Sequence, residues 1–281
     1  MGKKRYGVFP ALQQLCWRSC SRFRVWSALA FITMFLFGYG RNPLWIPVCH
    51  VTEPFLHMLR LTEWHFIIAA FTVMIVADAP FFGSTDVFTV NRIGRVQWTA
   101  ARLLYIALVT AAVTLYTCLV PTLLNLGRID LSVRQYTADI HSRQAVLEAG
   151  TRWFNAIRPW HALAWQLLLL WLFLQCCCLT VYFLNLSAGR GAGVPAILSL
   201  IFAEYIAEGN FNGVLMHRLP MSHVYYFDHD FAPLMNSYLP GLGASAVYYG
   251  VWIAVCIIGI AYFTRRYEFP FRKTKSGQED E

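Results

Sequence analysis

Apolar residues in this chain gather into long runs, and most of the polar residues lie between them. Six runs approach the roughly 20 residues that carry a helix across a bilayer: 25–40, 64–82, 100–126, 161–186, 193–207 and 244–264. The third is broken late by Pro121, and the fifth is the shortest and ends in acids. Trp26, Trp64, Trp160 and Tyr262 sit at run ends, where amphipathic rings favour the membrane–water boundary. The pattern predicts an all-α, polytopic membrane protein with six transmembrane helices.

The intervening segments have patterns of their own. Residues 8–23 place Phe9, Leu12, Leu15, Cys16, Ser19 and Phe23 at near-helical spacing beside Arg18, Arg22 and Arg24. That is an interfacial helix on the inner membrane surface, and it makes 1–24 an N-terminal unit of its own. The membrane domain is then 25–264, with an inside loop at 83–99 and outer loops at 127–160 and 208–243. A charged tail, 265–281, follows. The 127–160 loop is long for a connection and predicts a small outer cap or amphipathic helices. Within the last outer loop, 211–216 and 221–239 are too short and polar to cross, so re-entrant or interfacial outer helices are expected before the final span.

Composition agrees with lipid as the solvent. The chain is 57% hydrophobic and 14% charged, against about 25% charged in soluble domains. Its 16% aromatic content excludes intrinsic disorder. Of 23 basic residues, 15 fall on the side holding both termini and eight on the other, five of those in the acid-balanced 127–160 loop. Basic loops stay cytoplasmic, which gives an N-in, C-in topology. A 24-residue basic segment precedes the first apolar run and no small-x-small site follows it, so a cleaved signal peptide is not expected. The pI near 9.2 does not imply a nucleic-acid partner, because the charge follows the membrane rule and forms no aromatic-interleaved basic face.

Several chemistries are excluded. No lysine occurs between Lys4 and Lys273, so no phosphate-binding P-loop is present, and neither H-E-x-x-H nor G-x-S-x-G occurs. No C-x-x-C pair exists; Cys176, Cys177 and Cys178 read as buried small hydrophobes, and Cys49 falls in an outside loop. The glycine-rich 189–193 segment reads as a tight inside turn. His217, His223 and His229, with Asp228 and Asp230, are conceivable metal ligands, but six-residue spacing does not put them on one helix face. No metal and no cofactor is expected.

Three acids stand in or near the apolar runs. A charge in lipid costs at least about 2.5 kcal/mol, so Asp78, Glu204 and Glu208 should face protein or a wet cavity. Asp78 is expected either to cap or pair with a nearby inside arginine, such as Arg92 or Arg95, or to line a pathway. Glu204 and Glu208 share a face near the outer end of the fifth run. Desolvation should raise their proton affinity unless water or a cation reaches them. Arg218, ten residues past Glu208, is the candidate partner and outer gate.

The inside loop is the most informative segment. Arg92 and Arg95 are three apart, on one face of a short predicted helix. Retention of positive charge would explain the arginines but not Val87, Phe88, Val90 and Ile93, whereas docking into another protein's groove explains both. The run Asp78-Ala-Pro-Phe81, then Val90-Asn-Arg-Ile-Gly-Arg-Val-Gln-Trp98, resembles the inside loop of bacterial ABC transporter permease subunits of the type-two class, which export drugs, polysaccharides and lantibiotic-type peptides. The resemblance covers the whole chain in topology and is specific over about 20 residues. It implies that Asn91, Arg92, Ile93, Arg95 and Trp98 belong to a coupling helix that docks on an ATPase subunit. It also implies that ATP binds that partner, that a second permease subunit, identical or paralogous, completes the path, and that the cytoplasmic membrane is the location. The 127–160 loop is longer than the family commonly shows. Two other readings compete: a membrane-embedded enzyme acting on lipid or isoprenoid substrates, supported by the histidine group, and a non-catalytic membrane partner or immunity protein.

Overall fold

The longest apolar runs form the longest helices. The computed structural model describes residues 7–40, 50–81, 86–131, 158–189, 191–208, 219–226, 229 and 241–266. In chain order these form α1 (Val8–Cys20), α2 (Phe23–Gly40), α3 (Glu53–Leu59), α4 (Thr62–Ile75), α5 (Asp86–Ile93), α6 (Arg95–Leu124), α7 (Pro159–Ser187), α8 (Gly193–Glu208) and α9 (Leu242–Arg266). Short 3-10 turns cover Leu126–Arg128 and Met221–His223. Among the described residues there is no strand.

Three helices, α6, α7 and α9, are long and apolar enough to cross a membrane alone. The count rises to five if α1–α2, bent by 68°, and α3–α4, bent by 90°, each form one span. The apolar part of α8, Gly193–Ala207, is shorter. The second run differs most from its expectation. Its helix stops at Ile75, and 76–81 form consecutive turns containing a cis Ala79–Pro80 bond and a positive φ at Phe81.

Helix α7 is the centre of the molecule and packs on α9, α6, α8 and α4. Leu169, Leu170, Phe173, Leu174, Leu179 and Val181 are buried around much of its circumference, as expected of a core helix. Cys176, Cys177 and Cys178 are buried free thiols in the same stretch. On α9, by contrast, Val247, Val251, Val255 and Ile258 form an exposed stripe at helical spacing. Along α6 the threonine hydroxyls bond to their own helix: Thr110 to the Ile106 carbonyl (3.0 Å), Thr114 to Thr110 (2.9 Å) and Thr117 to Thr114 (2.9 Å). Those bonds let polar residues sit in an apolar surround. Pro121 does not break α6, because it lies in the last turn with three helical residues after it. The Asn125 amide then donates to the Pro121 carbonyl at 2.8 Å and closes that end.

The first helix forms where the periodicity predicts one, but only part of the expected apolar face is buried, and Phe23 is exposed at the start of α2. Ala11, Leu12 and Leu15 of α1 are buried, and the helix packs on α6, while Phe9 and Trp17 stay exposed. One expectation fails in the 83–99 loop. Gly94, at φ 84, separates α5 from α6. Arg92 therefore ends one helix and Arg95 begins another, and they do not share a helix face. The left-handed conformation at Gly94 is what turns the chain there.

Candidate functional site

The bundle carries a polar cluster at each end. Gln166 and Asn185 mark the two clusters on α7, and 19 residues of helix set them about 28 Å apart.

At one end, the turn after α4 is tied to every neighbouring helix. Asp78 accepts from Arg24 at 2.8 and 2.9 Å and forms a second ion pair with Arg22. Asp78 is thus paired with arginines as expected, but packing selects Arg22 and Arg24 of the α1–α2 junction rather than Arg92 or Arg95. The short link after α1 directs both guanidiniums at this turn. Arg95 instead donates to the Thr264 carbonyl at 3.3 Å, and to that of Arg265, at the end of α9. Trp98 is fully buried. The Arg102 guanidinium lies 3.4 Å over its ring, and Arg102 Nε donates to the Pro80 carbonyl at 2.8 Å. Of the five expected coupling residues, Asn91 and Arg92 are exposed, Ile93 is half-buried, Arg95 is anchored to α9 and Trp98 is internal.

Asn185 joins three segments at this end. Its amide donates to the Ala77 and Ala79 carbonyls (3.1 and 2.7 Å), and its carbonyl accepts from the Gly191 and Gly193 backbones (3.2 and 2.8 Å). The glycine turn expected at 189–193 is therefore present, with positive φ at Gly189 and Gly191. A Cβ at Gly193 would lie 2.5 Å from the Val181 carbonyl oxygen, so only glycine permits this approach.

At the other end, side chains from three helices grip residues 219–226 and 229. Gln166 of α7 donates to the Val224 carbonyl at 2.9 Å and accepts from the Tyr226 backbone at 2.8 Å. Glu204 of α8, 2% exposed, accepts from the Met221 backbone at 2.7 Å. Tyr249 of α9 donates to the Pro220 carbonyl. Ser245, also on α9, lies 2.8 Å from His223 Nδ1 and 2.8 Å from His229 Nε2. Burial holds His229 below the ordinary histidine value and pushes the Tyr226 hydroxyl up to about 12.

Arg218, His217, Asp228 and Asp230 lie outside the described residues, as does the side chain of Glu208. Among the described residues no group of three or more His, Cys, Asp or Glu converges as metal ligands. Charge is unevenly divided between the ends. Among the described side chains, eight arginines stand with one aspartate at the Asp78 end, against three arginines and four acids at the Ser245 end. Sequence reasoning missed Gln166, Asn185 and Ser245. Their signal was available, as polar side chains inside apolar runs, each of which must find partners when buried.

No protein-family model, no curated protein and no solved structure matches the chain.

Proposed function

We propose that this chain is the membrane-spanning subunit of an ABC exporter in the bacterial cytoplasmic membrane. A separate ATPase subunit supplies the energy, and a second permease subunit, identical or paralogous, completes the path. In this reading six segments cross: α2, α4 with its 76–81 turn, α6, α7, α8 and α9. Both termini are inside, and α1 lies on the inner surface. The arginine excess at the Asp78 end supports that orientation.

The observation that carries the reading is the elbow between α5 and α6. Helix α5 exposes Asn91 and Arg92 and meets membrane-length α6 at Gly94. The elbow is not loosely attached. Arg95 ties it to α9, Arg102 ties α6 to the Pro80 turn, Asp78 ties that turn to the start of α2, and Asn185 ties it to α7. A push on α5 would reach four helices through short hydrogen bonds, as a coupling element requires.

The test is co-purification with an ATPase subunit encoded beside this chain. Arg92→Glu combined with Asn91→Asp should abolish capture of the ATPase while membrane insertion persists. Undiminished capture would sink the proposal. Arg95→Glu is a poor test, since it also breaks the tie to α9.

A further inference from the structure

Two histidines share one serine hydroxyl at the Ser245 end. His223, Ser245 and His229 are 1%, 0% and 0% exposed, and both contacts to Oγ measure 2.8 Å. The hydroxyl has one hydrogen, so it can donate to only one ring. The far nitrogen of His229 decides which. Its Nδ1 lies 2.9 Å from the Tyr225 carbonyl and 3.3 Å from that of Tyr226. Carbonyls only accept, so Nδ1 carries the hydrogen and Nε2 of the neutral ring is bare. Nε2 therefore takes the serine hydrogen, and His223 must donate from Nδ1 to Oγ. The neutral cluster is a directed chain from His223 Nδ1–H to Ser245 Oγ–H to His229 Nε2.

We propose that His223, Ser245 and His229 form a buried proton-binding relay, which takes up one proton and passes it between the two rings through the Ser245 hydroxyl. The atoms balance. A proton bound at Nε2 makes His223 an imidazolium. Its Nδ1 hydrogen moves to Oγ as the Oγ hydrogen moves to His229 Nε2. His223 is left neutral with its hydrogen on Nε2, and His229 holds the charge. The chain then runs the other way, from His229 Nε2–H to Oγ and from Oγ–H to His223 Nδ1. Every hydrogen bond of the chain is kept in both states.

A second proton is not accommodated. It would put two cations on one oxygen, with ring centroids 6.4 Å apart and both rings buried. The groups that surround the relay fit one positive charge. Tyr248 and Tyr249 of α9 flank His223, with ring centroids 4.7 and 6.3 Å away. Glu204 of α8 is within electrostatic reach of both tyrosines and of Cys177 on α7. Cys176 of α7 reaches Tyr249 in the same way, and the Tyr225 ring lies 6.4 Å from His65 of α4. Among the described residues, Glu204 is the one acid in this set. Burial lowers the proton affinity of His229.

Ring-nitrogen NMR decides the matter, using the full chain in lipid nanodiscs with 15N-labelled histidine and signals assigned through His223→Gln and His229→Gln. Between pH 8 and 4.5 the two rings should change together at one midpoint, sharing one proton. At pH 8 both should carry hydrogen on Nδ1. In Ser245→Ala the two rings should titrate at separate midpoints, and Ser245→Thr should restore the single one. Rings that become fully cationic at independent midpoints in the native chain would overturn the relay, as would two rings that never change above pH 4.5. The native-chain titration stands as a test even if Ser245→Ala fails to fold. None of these outcomes depends on an ATPase partner.

Discussion

Single polar residues do most of the positioning in this bundle. Asn185 is the clearest case, since one amide satisfies two carbonyls and two backbone N–H groups where water is scarce. Asn185→Ala leaves those groups without the bonds that the side chain gave them, at a cost of about 3 kcal/mol. A lowered thermal midpoint in detergent, with membrane insertion unchanged, is the expected result. His50 and His229 act through pH instead. Burial holds both below 6.5. Each binds its proton less tightly folded than unfolded, so their contribution is complete above pH 6.5 and is lost as pH falls from there toward the folded values. Melting midpoints should stay level between pH 8 and 6.5 and decline below it, and His229→Gln should flatten that decline.

At the scale of elements, the unit that matters is the joint between helices. The α1–α2 joint is held on the Asp78 turn by two guanidiniums, and the α5–α6 joint is set by Gly94. Asp78 is partly solvated, so its ion pairs contribute geometry more than stability. Asp78→Asn should therefore leave the melting midpoint nearly unchanged while loosening α1. Limited proteolysis reads this directly: cleavage within 7–22 should speed up several-fold in Asp78→Asn. Protection equal to the native chain would mean that Leu12 and Leu15, packed on α6, hold α1 without the charges.

At the scale of the whole molecule, the open question is which helices cross. The proposed topology puts Ser187 inside and Asp130 and Gly241 outside, all three on exposed positions. Single cysteines at each, in a background cleared of native thiols, should separate by side. Asp130→Cys and Gly241→Cys should label in intact cells, and Ser187→Cys only after permeabilisation. Ser187 and Gly241 flank α8 and the start of α9, so labelling of both from one side would show that 16-residue α8 fails to cross.

Local pattern alone determined much of this protein. Uninterrupted apolar runs have no folding solution other than helices facing lipid or each other, so α2, α6, α7, α8 and α9 could be read with edges off by only a few residues. The amphipathic spacing of 8–23 likewise placed α1. What the sequence could not specify is which polar residue meets which. Asp78 lies 14 and 17 positions from Arg92 and Arg95 but 56 and 54 from Arg22 and Arg24. Proximity along the chain favoured the first pair, and helix packing chose the second. Trp98 read as a member of a charged docking loop, but the extension of α6 back to Arg95 carries it into the bundle. His223, His229 and Ser245 had no shared motif, because a hydrogen-bonded cluster needs only that the two histidines be brought against the first turn of α9. That approach is decided by Gln166, Glu204 and Tyr249, each on a different helix, and only the assembled bundle brings them together.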